Sequence, residues 1–187
     1  MIFNYLQRLY PDHSMQGEES GKQDKNSPYC WVVDPLDGTV NYSQGLPVFA
    51  ISVALQHEGE SVLGVVYAPY LNEMYCAVKD ELVELNDKDI HVGQKTSLAN
   101  CSIGTGFPYD KSTSQDNNMD NFLRLTPRFR GIRRLGAASY DLCCVAAGFL
   151  DGYWEYKLNL WDVAAGALIV KQASGEVFTQ QTNDKIA

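Results

Sequence analysis

The sequence predicts an α+β chain built in two halves, on three observations. Residues 48–55, 62–67 and 73–78 are runs rich in β-branched and aromatic side chains, separated by Gly, Pro and Asn signals, the pattern of an antiparallel meander. After Asn100 strand-like and helix-like segments alternate, as in an α/β layer. With 187 residues and 45% hydrophobic composition the chain can bury one sizeable core, so residues 1–100 and 101–187 are expected to be halves of a single structural unit.

In chain order, residues 2–9 carry apolar side chains at helical spacing and run into Pro11, so they read as the closing turns of an amphipathic helix. Residues 15–20 are expected to form a short strand leading to Glu18, and 21–28 an exposed polar loop. Trp31, Val32 and Val33 read as a buried strand that leaves its sheet at Asp34, because Pro35 fixes φ and has no N–H to donate. Residues 82–85 and 90–92 read as short edge strands. In the second half, strands are expected at 101–106, 131–135 and 152–156. Helices are expected at 117–125, 138–147 and 162–173, the last with Asp162 as N-cap.

Composition narrows the function classes. A net charge of −8 argues against nonspecific nucleic-acid binding, which needs a basic face; the only dense basic run is Arg128, Arg130, Arg133 and Arg134. Five cysteines at scattered positions, without Cys-x-x-Cys spacing, read as reduced thiols. No apolar stretch reaches the roughly 18 residues of a membrane span, and the N-terminus has no signal-peptide pattern. A cytoplasmic protein is the expectation.

The chemistry concentrates in the stretch Asp34-Pro35-Leu36-Asp37-Gly38-Thr39-Val40-Asn41. Two carboxylates stand at the end of a strand, and Gly38 lets the backbone turn so that the N–H groups of Gly38 and Thr39 can receive an anionic oxygen group. Acidic ligands beside an anion cradle suit a hard divalent cation such as Mg²⁺, Mn²⁺ or Ca²⁺. Alone, the string reads as an Asx-turn after a strand. Two further motifs accompany it: Gly17-Glu18-Glu19-Ser20 upstream, and Trp161-Asp162-Val163-Ala164-Ala165-Gly166-Ala167 downstream.

Together, in this order, the three motifs resemble those of the inositol monophosphatase family. The resemblance implies a layered α-β-α-β-α sandwich, with an antiparallel-sheet half and an α/β half flanking the site. It implies Mg²⁺-dependent, Li⁺-sensitive hydrolysis of a small phosphorylated polyol or sugar, inositol monophosphate first. Glu18, Asp34, the Leu36 carbonyl, Asp37 and Asp162 are the implied metal ligands, with Glu19 a further acidic neighbour. Glu18 and Thr39 are implied to orient the attacking water. Asp37, Gly38, Thr39, Gly136, Ala137, Ala138, Glu155 and Asp162 are implied to line the substrate site, Glu155 accepting hydrogen bonds from the alcohol. Taken alone, Glu155 reads as well as a strand-end charge.

Several alternatives stay open on the sequence alone. Related phosphatases hydrolyse fructose 1,6-bisphosphate, histidinol phosphate or 3′-phosphoadenosine 5′-phosphate, and shared metal ligands do not separate them. Asp34 or Asp37 as a covalent nucleophile is the chemical rival. A regulatory protein of the same fold, acting on the transcription machinery, is the rival from another class. The resemblance also implies a homodimer. Against the family pattern the sequence reads as shortened at both ends, starting inside a helix and stopping soon after Phe178, so weak activity is expected of this stretch by itself.

Overall fold

The computed structural model describes residues 2–182, 185 and 186. Helix α1 (Ile2–Leu9) leads into β1 (Ser14–Gly17), β2 (Gly21–Gln23) and β3 (Tyr29–Asp37), and the short helix α2 (Thr39–Ser43) follows. Then come β4 (Ala50–His57), β5 (Glu60–Ala68), β6 (Glu73–Val78), β7 (Leu82–Leu85) and β8 (Lys88–Asp89). These strands form one eight-stranded sheet in the order β2-β1-β3-β4-β5-β6-β7-β8. From β3 to β8 every neighbour is antiparallel, as the meander pattern predicts, but β1 runs parallel to β3.

Three local expectations are corrected. The chain does not leave the sheet at Asp34. Strand β3 continues through Pro35 to Asp37, with Asp34 opposite Ser52 and Asp37 opposite Ala50, so one extra residue is bulged out. The bulge accommodates a proline that cannot donate to the ladder. The polar stretch 21–28 is not all loop, because its start pairs with β1 as the exposed strand β2. Residues 90–92 form no strand; Val92 N–H instead donates to the Ala173 carbonyl, drawing the segment away from the sheet edge.

The second half supplies β9 (Ser102–Thr105), α3 (Met119–Leu125), β10 (Gly131–Arg133), α4 (Ala138–Ala146), β11 (Gly152–Trp154) and α5 (Leu160–Gln172). A small hairpin of β12 (Gln181–Thr182) and β13 (Lys185–Ile186) follows. Strands β10, β9 and β11 form a parallel sheet in that order, with β9 central. Helix α5 begins at Leu160, not at Asp162. Asn159 is its N-cap, and the Asp162 carboxylate at the third helical position accepts the Asn159 backbone N–H at 2.7 Å, the reciprocal arrangement of a capping box.

Helix α5 packs across β3 to β7, and α4 packs on α5 and on β11, which sets the helix pair between the two sheets. The observed fold is thus the predicted α+β class. Val32, Ala54, Val66 and Tyr75 of the large sheet join Tyr140, Cys143, Leu168 and Ile169 of the helices in one buried cluster, so the core draws on both halves of the chain. Gly64, on the sheet face under α5, lacks a side chain for a steric reason. A Cβ on Gly64 would lie 2.9 Å from the Ala165 carbonyl oxygen. All five cysteines are free, and Cys101, Cys143 and Cys144 are buried. No helix among the described residues is long and apolar enough to cross a membrane.

Candidate active site

The bulge that carries β3 past Pro35 places both carboxylates inside the protein. Asp34 is 2% exposed and Asp37 9%. The Leu36 N–H donates to Asp34 Oδ1 at 2.9 Å, which closes the turn between the two acids. The Thr39 hydroxyl donates to the Leu36 carbonyl at 3.0 Å. Gly38 adopts φ 87°, and a Cβ there would meet the Val48 carbonyl at 3.0 Å and the Ala137 Cβ at 3.1 Å. Only glycine fits that turn at both levels, backbone angle and space.

Two further elements close on this strand end. At the start of α4, the Ser139 N–H and hydroxyl donate to Asp37 Oδ2 at 2.7 and 2.6 Å. The buried Asn41 amide donates to the carbonyls of Val48 and Leu135, each at 2.7 Å, tying α2 to the loop that precedes α4. Glu18, Asp34, Leu36, Asp37, Gly38, Thr39, Gly136, Ala138, Glu155 and Asp162 all line one cleft of about 310 Å³. Ala137 does not. It is 1% exposed and supports Gly38 from beneath. Glu19 also lies outside the cleft wall.

The three parallel strands of the small sheet each hand one residue to the opposite side of the site. Gly106 follows β9, Arg134 follows β10 and Glu155 follows β11, and Arg134 and Glu155 line the cleft. Arg134 lies against Gly136, where a Cβ would be 2.5 Å from its Nη1. Burial pushes the Glu155 carboxyl up from its ordinary range, while the Tyr153 hydroxyl, which donates to Glu155 Oε2, and the Arg134 charge pull it back. Ser139 and the cleft residues Tyr109 and Lys111 are site residues that sequence reasoning missed, while Arg134, which the sequence offers as part of a basic run, does line the cleft. Arg134 carried a usable signal, two positions before Gly136. Ser139 carried none, since a serine on a helix announces no partner.

The donor set fits a hard cation. Burial pushes Asp34 up to about 8, and the charges of Asp37, Glu18 and Asp162 add to the shift. Burial pushes Asp37 to about 7, against the two Ser139 hydrogen bonds that favour its charged form. Two buried carboxylates, Asp34 and Asp37, with the exposed Glu18 and half-buried Asp162 adding charge of the same sign, are the environment that a divalent cation relieves. Among the described residues, no three His, Cys, Asp or Glu side chains stand close enough together to hold a metal ion as they are placed. The carboxylates instead face a shared cleft.

The sequence matches the model of the Inositol monophosphatase family over residues 1–186. The chain belongs to the inositol monophosphatase family. It is 42% identical to the Nus factor SuhB of Pasteurella multocida, over 94% of this chain and 66% of that protein. It is also 42% identical to the inositol-1-monophosphatase of Synechocystis sp., over 95% of this chain and 62% of that protein. The chain thus spans about two thirds of the length of these curated relatives. Among solved structures, the inositol monophosphatase of Anabaena (Nostoc) sp. superimposes with a TM-score of 0.93 at 37% identity, covering 95% of this chain and 71% of that one. The inositol monophosphatase of Thermotoga maritima gives 0.86 at 35% identity, covering 99% and 72%. The inositol monophosphatase fold is therefore present over nearly all of this chain.

Proposed function

We propose that the protein hydrolyses a small phosphate monoester, with inositol monophosphate as the leading candidate, using Mg²⁺ held by Glu18, Asp34, the Leu36 carbonyl, Asp37 and Asp162. The observation that carries this reading is the meeting of those five positions and the Gly38–Thr39 turn in one cleft. Bound there, Mg²⁺ would supply Lewis acidity and offset the charge of the phosphoryl oxygens.

The chain's own residues do the rest. The N–H groups of Gly38 and Thr39 hold phosphoryl oxygens. The Thr39 hydroxyl donates its hydrogen bond to the Leu36 carbonyl, which leaves its oxygen lone pairs to accept a hydrogen bond from water. A water held between Thr39 and Glu18 attacks phosphorus in line and Glu18 takes its proton, while the bond from phosphorus to the ester oxygen breaks and that oxygen takes a proton from solvent to leave as the alcohol. Glu155, on the far wall, accepts hydrogen bonds from the hydroxyls of the departing alcohol. No aspartyl phosphate is required. Asp37 Oδ2 is already engaged by both Ser139 donors, and Asp34 Oδ1 by the Leu36 N–H, which suits fixed ligands better than nucleophiles.

The test is Asp34→Asn in the full-length protein. Loss of Mg²⁺-dependent turnover on inositol 1-phosphate is expected, and near-normal turnover would overturn the assignment. A second reading follows from relatives named Nus factor SuhB, among them those of Pasteurella multocida and Pseudomonas aeruginosa: a partner in transcription. Binding of RNA polymerase subunits by a protein inactive on every phosphate tested would favour it. We also infer a cytoplasmic protein that is active as a homodimer. Sedimentation of the full-length protein tests the second point.

A further inference from the structure

We propose that Gly106 is a specificity-determining position. Its bare Cα is the seat of the Glu155 carboxylate, and Asn118 holds that seat in place. The inference rests on the reading of Glu155 as the residue that meets the alcohol.

A Cβ built on Gly106 would lie 2.1 Å from Glu155 Cδ, Oε1 and Oε2. No other glycine in the chain is so tightly opposed, and here the opposing atoms are the far end of a flexible side chain. A methyl group at 106 would therefore move the carboxylate and spare the backbone. Its first effect falls on the position of Glu155, and only secondarily on stability.

The seat itself is built. Asn118 is 4% exposed and sits in the left-handed conformation, φ 68°, which asparagine tolerates better than most residues. Its amide donates to the Gly106 carbonyl at 2.7 Å and to Thr105 Oγ1 at 3.2 Å, while its carbonyl oxygen accepts the Trp154 indole N–H at 2.7 Å. Thr105 Oγ1 in turn donates to the Trp154 carbonyl at 2.9 Å. One buried side chain thus clamps the ends of β9 and β11 at the two residues, Gly106 and Trp154, that touch or precede Glu155. A clamp of this kind sets where Glu155 stands relative to Asp34 and Asp37 without contacting substrate, and misplacement by about 1 Å is enough to cost catalysis.

The experiment compares wild type, Gly106→Ala, Glu155→Asp, Glu155→Gln and the double variant Gly106→Ala/Glu155→Asp in the full-length protein. Each is assayed on inositol 1-phosphate and on p-nitrophenyl phosphate, whose leaving group offers no hydroxyl cluster. Gly106→Ala is expected to lower kcat/KM for inositol 1-phosphate about tenfold more than for the aryl ester. Glu155→Asp, one methylene shorter, makes room for the methyl group, so the double variant should be no more impaired than Glu155→Asp alone. Additive losses would overturn the proposal. If Glu155→Gln leaves the ratio of the two substrates unchanged, the underlying reading of Glu155 fails instead. A crystal structure of Gly106→Ala gives an arm independent of activity: an unmoved Glu155 carboxylate would sink the idea, and displacement by about 1 Å supports it. Should Gly106→Ala not fold, Asn118→Ala takes its place: a loss confined to inositol 1-phosphate supports the proposal, and an equal loss on both esters overturns it.

Discussion

Ser139 reaches Asp37 twice. Its backbone N–H and its hydroxyl both donate to the single oxygen Oδ2, at 2.7 and 2.6 Å, across 102 residues of chain. The backbone bond fixes the carboxylate against the start of α4, and the hydroxyl favours its charged form. Ser139→Ala removes only the hydroxyl bond. Raising the Asp37 pKa lets protons compete better with a cation, so the Mg²⁺ concentration for half-maximal activation should rise roughly tenfold, the scale seen when a group supporting a ligand is lost. The increase should be larger at pH 6 than at pH 8. A magnesium titration at both pH values checks it, and an equal requirement in mutant and wild type would refute the role.

Asp141 lies 1% exposed on α4, with Oδ1 buried and lacking a hydrogen-bond partner. Burial first, then the charges of Glu155 and Asp37, push its carboxyl to about 8. For an acid whose folded pKa lies above its ordinary 3.8, the stabilising contribution is complete below the ordinary value and is lost as pH rises through the folded one. Stability should therefore fall between about pH 4 and pH 8. With saturating Mg²⁺ to offset Asp34 and Asp37, Asp141→Asn should flatten that decline in thermal-melt profiles. An unchanged slope would assign the pH dependence to other groups.

The Asn41 amide satisfies two carbonyls that belong to different loops. Asn41→Ala strands both acceptors in a buried place, at about 1–3 kcal/mol for each that water does not reach. A melting point lowered by several degrees is expected, together with a higher KM because Leu135, and with it the cleft residue Gly136 that follows, loses its tie to α2. A melting point within one degree of wild type would show that the loops are held elsewhere.

Gly64→Ala tests the packing of β5 on α5. The new methyl group would meet the Ala165 carbonyl oxygen at 2.9 Å and its Cα at 3.1 Å, backbone atoms that cannot swing aside. Overpacking of this kind costs about 1–3 kcal/mol. Denaturant unfolding should show a lower midpoint with an unchanged slope, and an unaltered midpoint would mean that the helix can lift.

Local chemistry was legible in the sequence, and partnership was not. The alternation of β-branched residues placed β6 and β7 at their observed ends, and the small-residue run after Asp162 marked α5. The motif acids were singled out by the resemblance that the three motifs carry together, since residue type alone reads the Asp34–Asp37 string as an Asx-turn. Pro35 misled because a missing donor is compatible either with leaving a sheet or with a bulge inside it, and only the neighbouring strand decides. Asn159 displaced Asp162 as the cap because two nearby candidates differ by one turn of geometry. The parallel pairing of β1 with β3, the Ser139 contact and the Gly106 seat depend on segments remote in sequence, so no window of residues contains them.

Helices α4 and α5 touch where Gly166 faces Leu142, and a Cβ on Gly166 would come within 2.8 Å of the leucine side chain. Glu18, Asp34 and Asp37 ride on the large sheet, whereas Arg134 and Glu155 ride on the small one, and this helix pair is the spacer between them. The reach from the acidic end of the cleft to its far wall is accordingly a gauge, set by the one layer of helices that separates the sheets. Residues that never meet a bound molecule fix how long that molecule can be. A bulkier residue at 166 would push α4 away from α5, and because Ser139 ties α4 to Asp37 the change would reach the acidic end of the cleft as well as its far wall.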